Sequence, residues 1–220
     1  MKQFLRGDFI WLAVLAGVTL FIVAPATHQI FVSLTATQPY LMGFAKFAIL
    51  ATMGELLAIR LSAGFWKQPP GFIYKVLVWG LVGMAITFMF SFFSTGVAAM
   101  VEKGLLPVGT GLLAVVLKAF YTSLIMNVTF GPAFMAAHRV SDTYIDLRMQ
   151  GGEVSAKTVL TTINWPDFMS FVVGRTIPLC WIPAHTATFM LPSEYRVLVA
   201  AYLSIVLGII LAYARRRHKS

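Results

Sequence analysis

Long apolar runs, separated by short polar or helix-breaking segments, follow one another along nearly the whole chain. Crossing the hydrocarbon core of a bilayer takes about 20 apolar residues in a helix. Six runs reach that length. The predicted spans are residues 9–34, 41–63, 72–100, 111–137, 167–190 and 195–214. The pattern therefore predicts an all-α integral membrane protein, a polytopic bundle of about six transmembrane helices in one transmembrane domain over residues 1–220.

The composition identifies lipid as the solvent of most of the chain. Of the 220 residues, 59% are hydrophobic and only 11% are Asp, Glu, Lys or Arg. A soluble domain usually has about a quarter of its residues charged. So little charge leaves too little polar surface for a globule in water. The first apolar run continues to about Leu34, too long for the apolar core of a signal peptide, and predicts a retained first helix.

The lysines and arginines are distributed unequally between the two sides of the predicted bundle. With the N-terminus in the cytoplasm, 12 of the 17 fall in inside segments. These are Lys2, Arg6, Arg60, Lys67, Lys75, Arg139, Arg148, Lys157, Arg215, Arg216, Arg217 and Lys219. The positive-inside rule therefore predicts that both ends are cytoplasmic. The preferred location is the bacterial cytoplasmic (inner) membrane, or an organelle inner membrane if the protein is eukaryotic.

Tryptophans support the same orientation, because indole rings anchor at membrane interfaces. Four of them fall at the predicted inner interface: Trp11, Trp66, Trp79 and Trp165. The longest polar stretch, residues 139–165, is then a cytoplasmic connection. Its apolar residues recur at helical spacing among charges, which suits an interfacial helix on the cytoplasmic leaflet. A solvated loop with a helical turn explains the pattern equally well, and Ser155 is placed to cap a second short helix.

Two ionisable residues fall at a similar depth inside predicted spans. Glu55 is the only acid near the middle of a span, and Arg175 lies at a comparable depth in the fifth span. Charges inside a bilayer are costly and mark functional sites by default. Pairing relieves the cost for both groups, so we predict an intramembrane ion pair of Glu55 and Arg175. The pair would act either as a static strut or as a gate.

The ionisable residues on the outer half of the bundle are cations or histidines. They are His28, Lys46, Lys118 and His185. If they face a shared cavity, its positive potential would favour anions such as phosphorylated or carboxylated metabolites. The alternative is that the lysines snorkel to the outer interface while the histidines hydrogen-bond between helices.

For the other polar and helix-breaking residues inside predicted spans, we first expect structural roles. Asn127, near mid-membrane, is expected to hold two helices together by hydrogen bonds. Prolines inside helices free backbone carbonyls, which neighbours or water must satisfy. These prolines are Pro25, Pro132, Pro178 and Pro183. Glycines that permit close helix contact are Gly54, Gly80 and Gly83.

The chain lacks the sequence signatures of several classes of enzyme and nucleotide-binding protein. The motifs of serine hydrolases, zinc proteases, P-loop proteins and dinucleotide-binding proteins are absent. The four histidines and single cysteine, Cys180, are not paired at ligand spacing, so we expect no metal and no cofactor. The net charge is +9, and the charged residues lie between apolar runs and in a terminal cluster. This distribution argues against nucleic acid as a partner.

The C-terminal third contains a motif that resembles a known family. Its residues are Trp181, Pro183, Phe189, Pro192, Tyr195 and Arg196. The spacing is similar to the signature of the Mpv-type family of small proteins from mitochondrial inner and peroxisomal membranes. Gly54-Glu55 resembles the Gly-Asp of that family, and Asn127 with Pro132 resembles a second family motif. The resemblance implies a membrane pore or a solute-permeability role.

The chain departs from the family pattern in several places. One extra residue separates Trp181 from Pro183, the family's Gln and Asn are missing, and Met126 replaces an acid. The family is usually drawn with about four spans, whereas the apolar pattern of this chain predicts six.

The preferred function is therefore a small polytopic channel or transporter for small solutes, with anions as candidates. One alternative is a non-transporting scaffold that binds partners through its inner face and its basic tail. That tail, Arg215, Arg216, Arg217 and Lys219, equally suits a topology determinant and an anchor for anionic lipid. Another alternative is a membrane-embedded enzyme acting on a lipid-soluble substrate. The bilayer is a partner in each case, and homo-oligomerisation stays open.

Overall fold

The computed structural model describes residues 6–151 and 153–217, with side chains as far as Ile209 at the C-terminal end. Within these ranges the regular secondary structure is entirely helical. The helices are α1 Arg6–Val23, α2 Pro25–Thr37, α3 Pro39–Ala63, α4 Phe72–Glu102, α5 Gly111–Thr129, α6 Gly131–Met149, α7 Ala156–Thr162, α8 Trp165–Asp167, a π-helix Phe168–Trp181, α9 Ile182–Phe189 and α10 Ser193–Arg217. The prediction of an all-α protein is confirmed.

Four of the described helices, α1, α3, α4 and α5, are long and apolar enough to cross a membrane. This supports a multi-pass membrane protein. The count of six spans and the cytoplasmic location of both ends stay predictions. The sixth predicted span falls within α10, part of which lies beyond the described side chains.

Three predicted spans are interrupted where proline removes a backbone donor. The first is broken at Ala24, whose extended backbone (ψ 132°) precedes Pro25. The fourth ends at Thr129, and α6 then begins with Pro132 in its first turn. The predicted interfacial helix after residue 139 is therefore the continuation of α6. The fifth is divided into α8, the π-helix, which contains Pro178, and α9, which has Pro183 in its first turn.

The chain forms two compact units. The first unit comprises Met1–Thr87 with Val197–Ser220, and the second comprises Phe88–Arg196. The predicted single transmembrane domain stays a prediction.

Helix α3 is the centre of the first unit. The C-terminal end of α3 contacts the start of α1 through Arg60 and Asp8. Its N-terminal half contacts α2 through Lys46 and Thr35. The kinked α1–α2 segment therefore runs antiparallel to α3. On another side α3 approaches α10 closely, because a Cβ atom at Gly54 would lie 2.7 Å from the carbonyl oxygen of Ser204. Small residues allow such backbone approach between membrane helices.

The second unit is built around the contact between α5 and α9. Ser123 of α5 is fully buried and donates to the carbonyl oxygen of Ile182 at 2.7 Å. In the polar connection, Ser155 caps α7 by accepting a hydrogen bond from the backbone N–H of Thr158 at 3.1 Å. A capping side chain satisfies one of the N–H groups that the first turn of a helix leaves without a partner.

Candidate functional site

Glu55 is held by two donors from the start of α4. Its Oε1 accepts from Lys75 Nζ at 3.4 Å, and its Oε2 accepts from Trp79 Nε1 at 3.1 Å. Lys75 and Trp79 are four residues apart, so their side chains lie on the same face of α4. Lys75 is buried, whereas the Glu55 side chain keeps 22% of its surface exposed. We call these three residues the Glu55 cluster.

The sequence predicted Arg175 as the partner of Glu55, and the structure gives Glu55 different partners within the first unit. Arg175 belongs to the second unit and its side chain is exposed. The predicted Glu55–Arg175 pair stays a prediction, but it is not needed to compensate the Glu55 charge. The charge distribution places Lys75 among the inside cations, and in the structure Lys75 lies in the first turn of α4. A lysine stem is long enough to reach back into the bundle from such a position.

A second cluster, missed by the sequence analysis, joins α1 to α3. Asp8 Oδ1 accepts from Arg60 Nε at 2.9 Å, and Asp8 Oδ2 accepts from Arg60 Nη2 at 3.0 Å. Trp66 Nε1 also donates to Asp8 Oδ1, at 2.9 Å. We call these residues the Asp8 cluster. The usable signal was an acid at the start of one predicted span and an arginine near the end of the next.

Arg60 also ends α3. Its Nη1 donates to the carbonyl oxygen of Gly64 at 2.7 Å, and Gly64 has the left-handed backbone (φ 89°) that commonly terminates a helix. One guanidinium therefore binds both a neighbouring helix and the end of its own helix. Such planar, multiple hydrogen bonding is a property of arginine that lysine lacks.

Lys46 is a buried cation without an acidic partner in its unit. Its side chain lies between α2 and α3, where Nζ donates to Thr35 Oγ1 at 3.0 Å and lies 4.7 Å from the centroid of the Phe31 ring. Only 7% of the residue is exposed. It therefore does not snorkel to a surface. The first unit has two acidic residues, Asp8 and Glu55, and these bind Arg60 and Lys75.

His28 closes the kink between α1 and α2. Its Nδ1 lies 2.8 Å from the carbonyl oxygen of Ile22, and Thr27 Oγ1 donates to the carbonyl oxygen of Phe21 at 2.5 Å. Because a carbonyl can only accept, Nδ1 carries the proton. The two side chains satisfy carbonyls near the Pro25 break, as expected for an interrupted membrane helix.

The other two residues of the predicted outer cavity belong to the second unit. Lys118 is exposed on α5, and His185 is buried on α9. His28 and Lys46 lie in the first unit. A shared cationic cavity stays a prediction, and Lys46 is its one member that is a buried charge.

Asn127 joins α5 to α9 through His185. Asn127 Nδ2 donates to the carbonyl oxygen of Ser123 at 2.8 Å and lies 3.1 Å from His185 Nδ1, while Asn127 Oδ1 lies 3.3 Å from the same nitrogen. Both residues are buried. This arrangement matches the helix-contact role expected for a polar residue in a membrane span.

The residues of the family-like motif form an aromatic cluster in the second unit. Trp181, the last residue of the π-helix, stacks on His185 with ring centroids 5.2 Å apart. Phe189 packs against Phe90 at 4.8 Å, and Arg196 lies over the Phe189 ring at 5.7 Å.

Two prolines of the family-like motif lie at helix starts. Pro183 lies in the first turn of α9, and Pro192 directly precedes α10, which has Tyr195 in its first turn. The motif is thus a packing element in this chain.

Among the described residues, no group of three or more His, Cys, Asp or Glu is arranged to hold a metal ion. The side chains of Arg215, Arg216 and Arg217, and all of Lys219, lie outside the described part, so their predicted contact with anionic lipid stays a prediction.

Comparisons with known proteins give this chain no relative. No protein-family model matches it, and neither a curated protein nor a solved structure is detectably similar to it. The resemblance to the Mpv-type family therefore stays a prediction from the motif residues.

Proposed function

We propose that the protein is a small polytopic membrane channel or transporter for small solutes, and that it favours anions. The observation that supports the proposal is the charge balance inside the first unit. Among its described residues three cations are buried, Lys46, Arg60 and Lys75, and the unit has two acidic side chains, Asp8 and Glu55. One buried positive charge, on Lys46, is left without a counter-charge from this unit.

An uncompensated ammonium in a low-dielectric surrounding is costly. Desolvation of a buried ion costs several kcal/mol unless a partner of opposite charge or good hydrogen bonds compensate it. Thr35 and Phe31 supply one hydrogen bond and one cation–π contact. An ammonium has three protons to donate, so this leaves capacity for an anionic ligand. Ionisable residues at such positions mark solute pathways.

The proposal is tested by solute flux through purified protein in liposomes. We expect the protein to release chloride, sulfate or phosphate faster than protein-free liposomes do, and to pass these anions in preference to potassium. Lys46→Met should abolish the preference for anions, because it removes the buried charge while retaining a chain of similar length. Lys157→Met is the matched control, since Lys157 is exposed on α7.

Folding of each variant is checked by its elution as a single species and by its helical circular dichroism. No flux of any tested solute through folded wild-type protein would contradict transport and favour the scaffold alternative. Flux with the same ion preference in Lys46→Met and wild type would remove Lys46 from the mechanism.

A further inference from the structure

The Glu55 and Asp8 clusters have the same three kinds of group but differ in how tightly they are bound. Each consists of one carboxylate, one buried cation and one indole N–H. In the Asp8 cluster the three contacts that we measure are 2.9, 3.0 and 2.9 Å. In the Glu55 cluster the two contacts that we measure are 3.4 and 3.1 Å. Charge-assisted hydrogen bonds are usually about 2.7–2.9 Å long, so Glu55 is loosely held.

We propose that Lys75 and Trp79 form an anion-binding site on α4, and that Glu55 occupies it as an exchangeable internal ligand. A carboxylate or a small oxyanion from solution would take the place of the Glu55 carboxylate. The inference deepens the proposed function by naming a second anion contact, and it rests on that function only for the role of the bound anion in transport.

The donors are arranged for an anion. Lys75 supplies a full positive charge from a buried position, and Trp79 supplies an N–H one turn further along α4. Each binds a different oxygen of the same carboxylate. A site that holds two oxygens of one planar group in this way fits acetate-like carboxylates and the oxygen edges of sulfate or phosphate. The specificity is therefore for oxyanions.

Exchange is favoured by the position and the length of Glu55. Its side chain is 22% exposed, compared with 15% for Asp8, so the protein encloses Glu55 less completely than Asp8. A glutamate has more rotatable bonds than an aspartate, and fixing them costs conformational entropy. Lysine binds as a point charge, whereas Arg60 holds Asp8 through a rigid two-pronged contact. The Asp8 cluster is therefore the fixed contact and the Glu55 cluster the exchangeable one.

The Lys75–Trp79 site is distinct from Lys46. Glu55 follows Lys46 by nine residues, which at about 100° per residue places the two on opposite faces of α3, about 13 Å apart along its axis. Lys46 accordingly contacts α2, and Glu55 contacts α4. Loss of anion binding at one position need not affect the other, which allows separate tests.

The test uses Trp79 as the reporter, because its indole N–H is itself a ligand to the carboxylate. The full chain is prepared with Trp11, Trp66, Trp165 and Trp181 replaced by Phe, and Trp79 emission is titrated with sodium acetate or sodium sulfate at constant ionic strength, balanced with chloride. We expect a saturable change in emission. In Glu55→Gln the half-saturating concentration should fall about fivefold or more, since a tethered competitor acts at a high effective concentration.

Three results would overturn the proposal: no saturable change in either protein, the same half-saturating concentration in both, or an unchanged response in Lys75→Met. If the four-Phe background does not fold, thermal unfolding of otherwise unmodified protein replaces it. Acetate should then raise the unfolding temperature of Glu55→Gln, and it should leave that of the matched variant Asp8→Asn unchanged. Equal effects on the two variants would also overturn it. Anion binding is measured in detergent and solute flux in liposomes. The binding result therefore stands even if the protein shows no flux.

Discussion

The two carboxylate oxygens of Asp8 lie 2.9 and 3.0 Å from Nε and Nη2 of Arg60, forming a bidentate contact between α1 and α3. Both side chains are largely withdrawn from solvent, with 15% and 8% of their surface exposed. Each charge therefore depends on the other, because removal of one partner of a buried ion pair leaves the second uncompensated.

The first prediction is that Asp8 and Arg60 are energetically coupled. Asp8→Ala and Arg60→Ala should each lower the thermal unfolding temperature in detergent, and the double variant should lose much less than the sum of the two. A double-mutant cycle isolates this coupling. Additive losses would show that the contact contributes nothing to stability. Lys67→Ala, at an exposed position of the following loop, serves as the control.

A second prediction concerns the close approach of α3 and α10. Gly54→Ala should destabilise the fold by roughly 1–3 kcal/mol, because the added Cβ would lie 2.7 Å from a backbone carbonyl and the helices must separate. Gly17→Ala is the matched control, since a Cβ at Gly17 meets nothing within 4 Å. Unfolding in a denaturing detergent measures both. Equal stability of the two variants would contradict the contact.

A third prediction separates the two buried lysines of the first unit. Lys75→Met should lower the unfolding temperature, because it leaves Glu55 without its cation. Lys46→Met should leave the unfolding temperature unchanged or raise it, because it removes a buried charge that no acid of the unit compensates. The two substitutions are chemically identical, so each controls the other. A loss in Lys46→Met as large as in Lys75→Met would show that Lys46 is compensated by a group of the protein.

The contact between Asn127 and His185 supports a fourth prediction. Asn127→Ala should cost about 1–3 kcal/mol, because it leaves a buried ring nitrogen of His185 without its partner. Thr129→Ala, at an exposed position on the same helix, is the control and should have little effect. If Asn127→Ala is as stable as the control, α5 and α9 are held together by apolar packing alone.

The fifth prediction tests the topology. In a Cys180→Ser background, single cysteines at Thr110 and Ser193 should react with a membrane-impermeant maleimide from outside intact cells, whereas one at Ser155 should react only after permeabilisation. This follows from six spans with both ends inside. Labelling of all three residues from one side would contradict the six-span count. A cysteine buried in the structure, at Ser123, gives the background level.

Parts of the fold could be predicted from the sequence because they depend on short stretches of the chain. The helices α3, α4 and α5 begin within about two residues of the predicted spans, since apolar length and neighbouring glycine or proline mark them locally. The first and fifth predicted spans contained the prolines at which the structure breaks or reshapes them, at Pro25 and around Pro178 and Pro183. Their presence was readable, but whether each bends or divides a helix was not.

For the candidate site, the sequence predicted individual candidate residues but not their contacts. Glu55, Lys46, Asn127 and His185 stood out as polar residues in apolar surroundings, and all four make specific contacts. Asp8 and Arg60 were passed over because each lies near a span end, where charge is ordinary. Partner choice was the larger difficulty: a common depth predicts Arg175 for Glu55 and stays a prediction, whereas the contacts of Glu55 within the first unit are with Lys75 and Trp79 of α4.

The pattern of apolar residues was enough to predict an all-helical chain with several helices long and apolar enough to cross a membrane, because the length of an apolar run is a local property. It also identified the ionisable residues that such helices contain. Which of these charges contact each other depends on how the helices pack. Asp8 and Arg60 are 52 residues apart, and Lys75 is 20 residues from Glu55, so their pairing depends on which helix faces pack together. Those faces are set by close contacts such as that of Gly54 with Ser204, and they leave Lys46 without an acid in its unit.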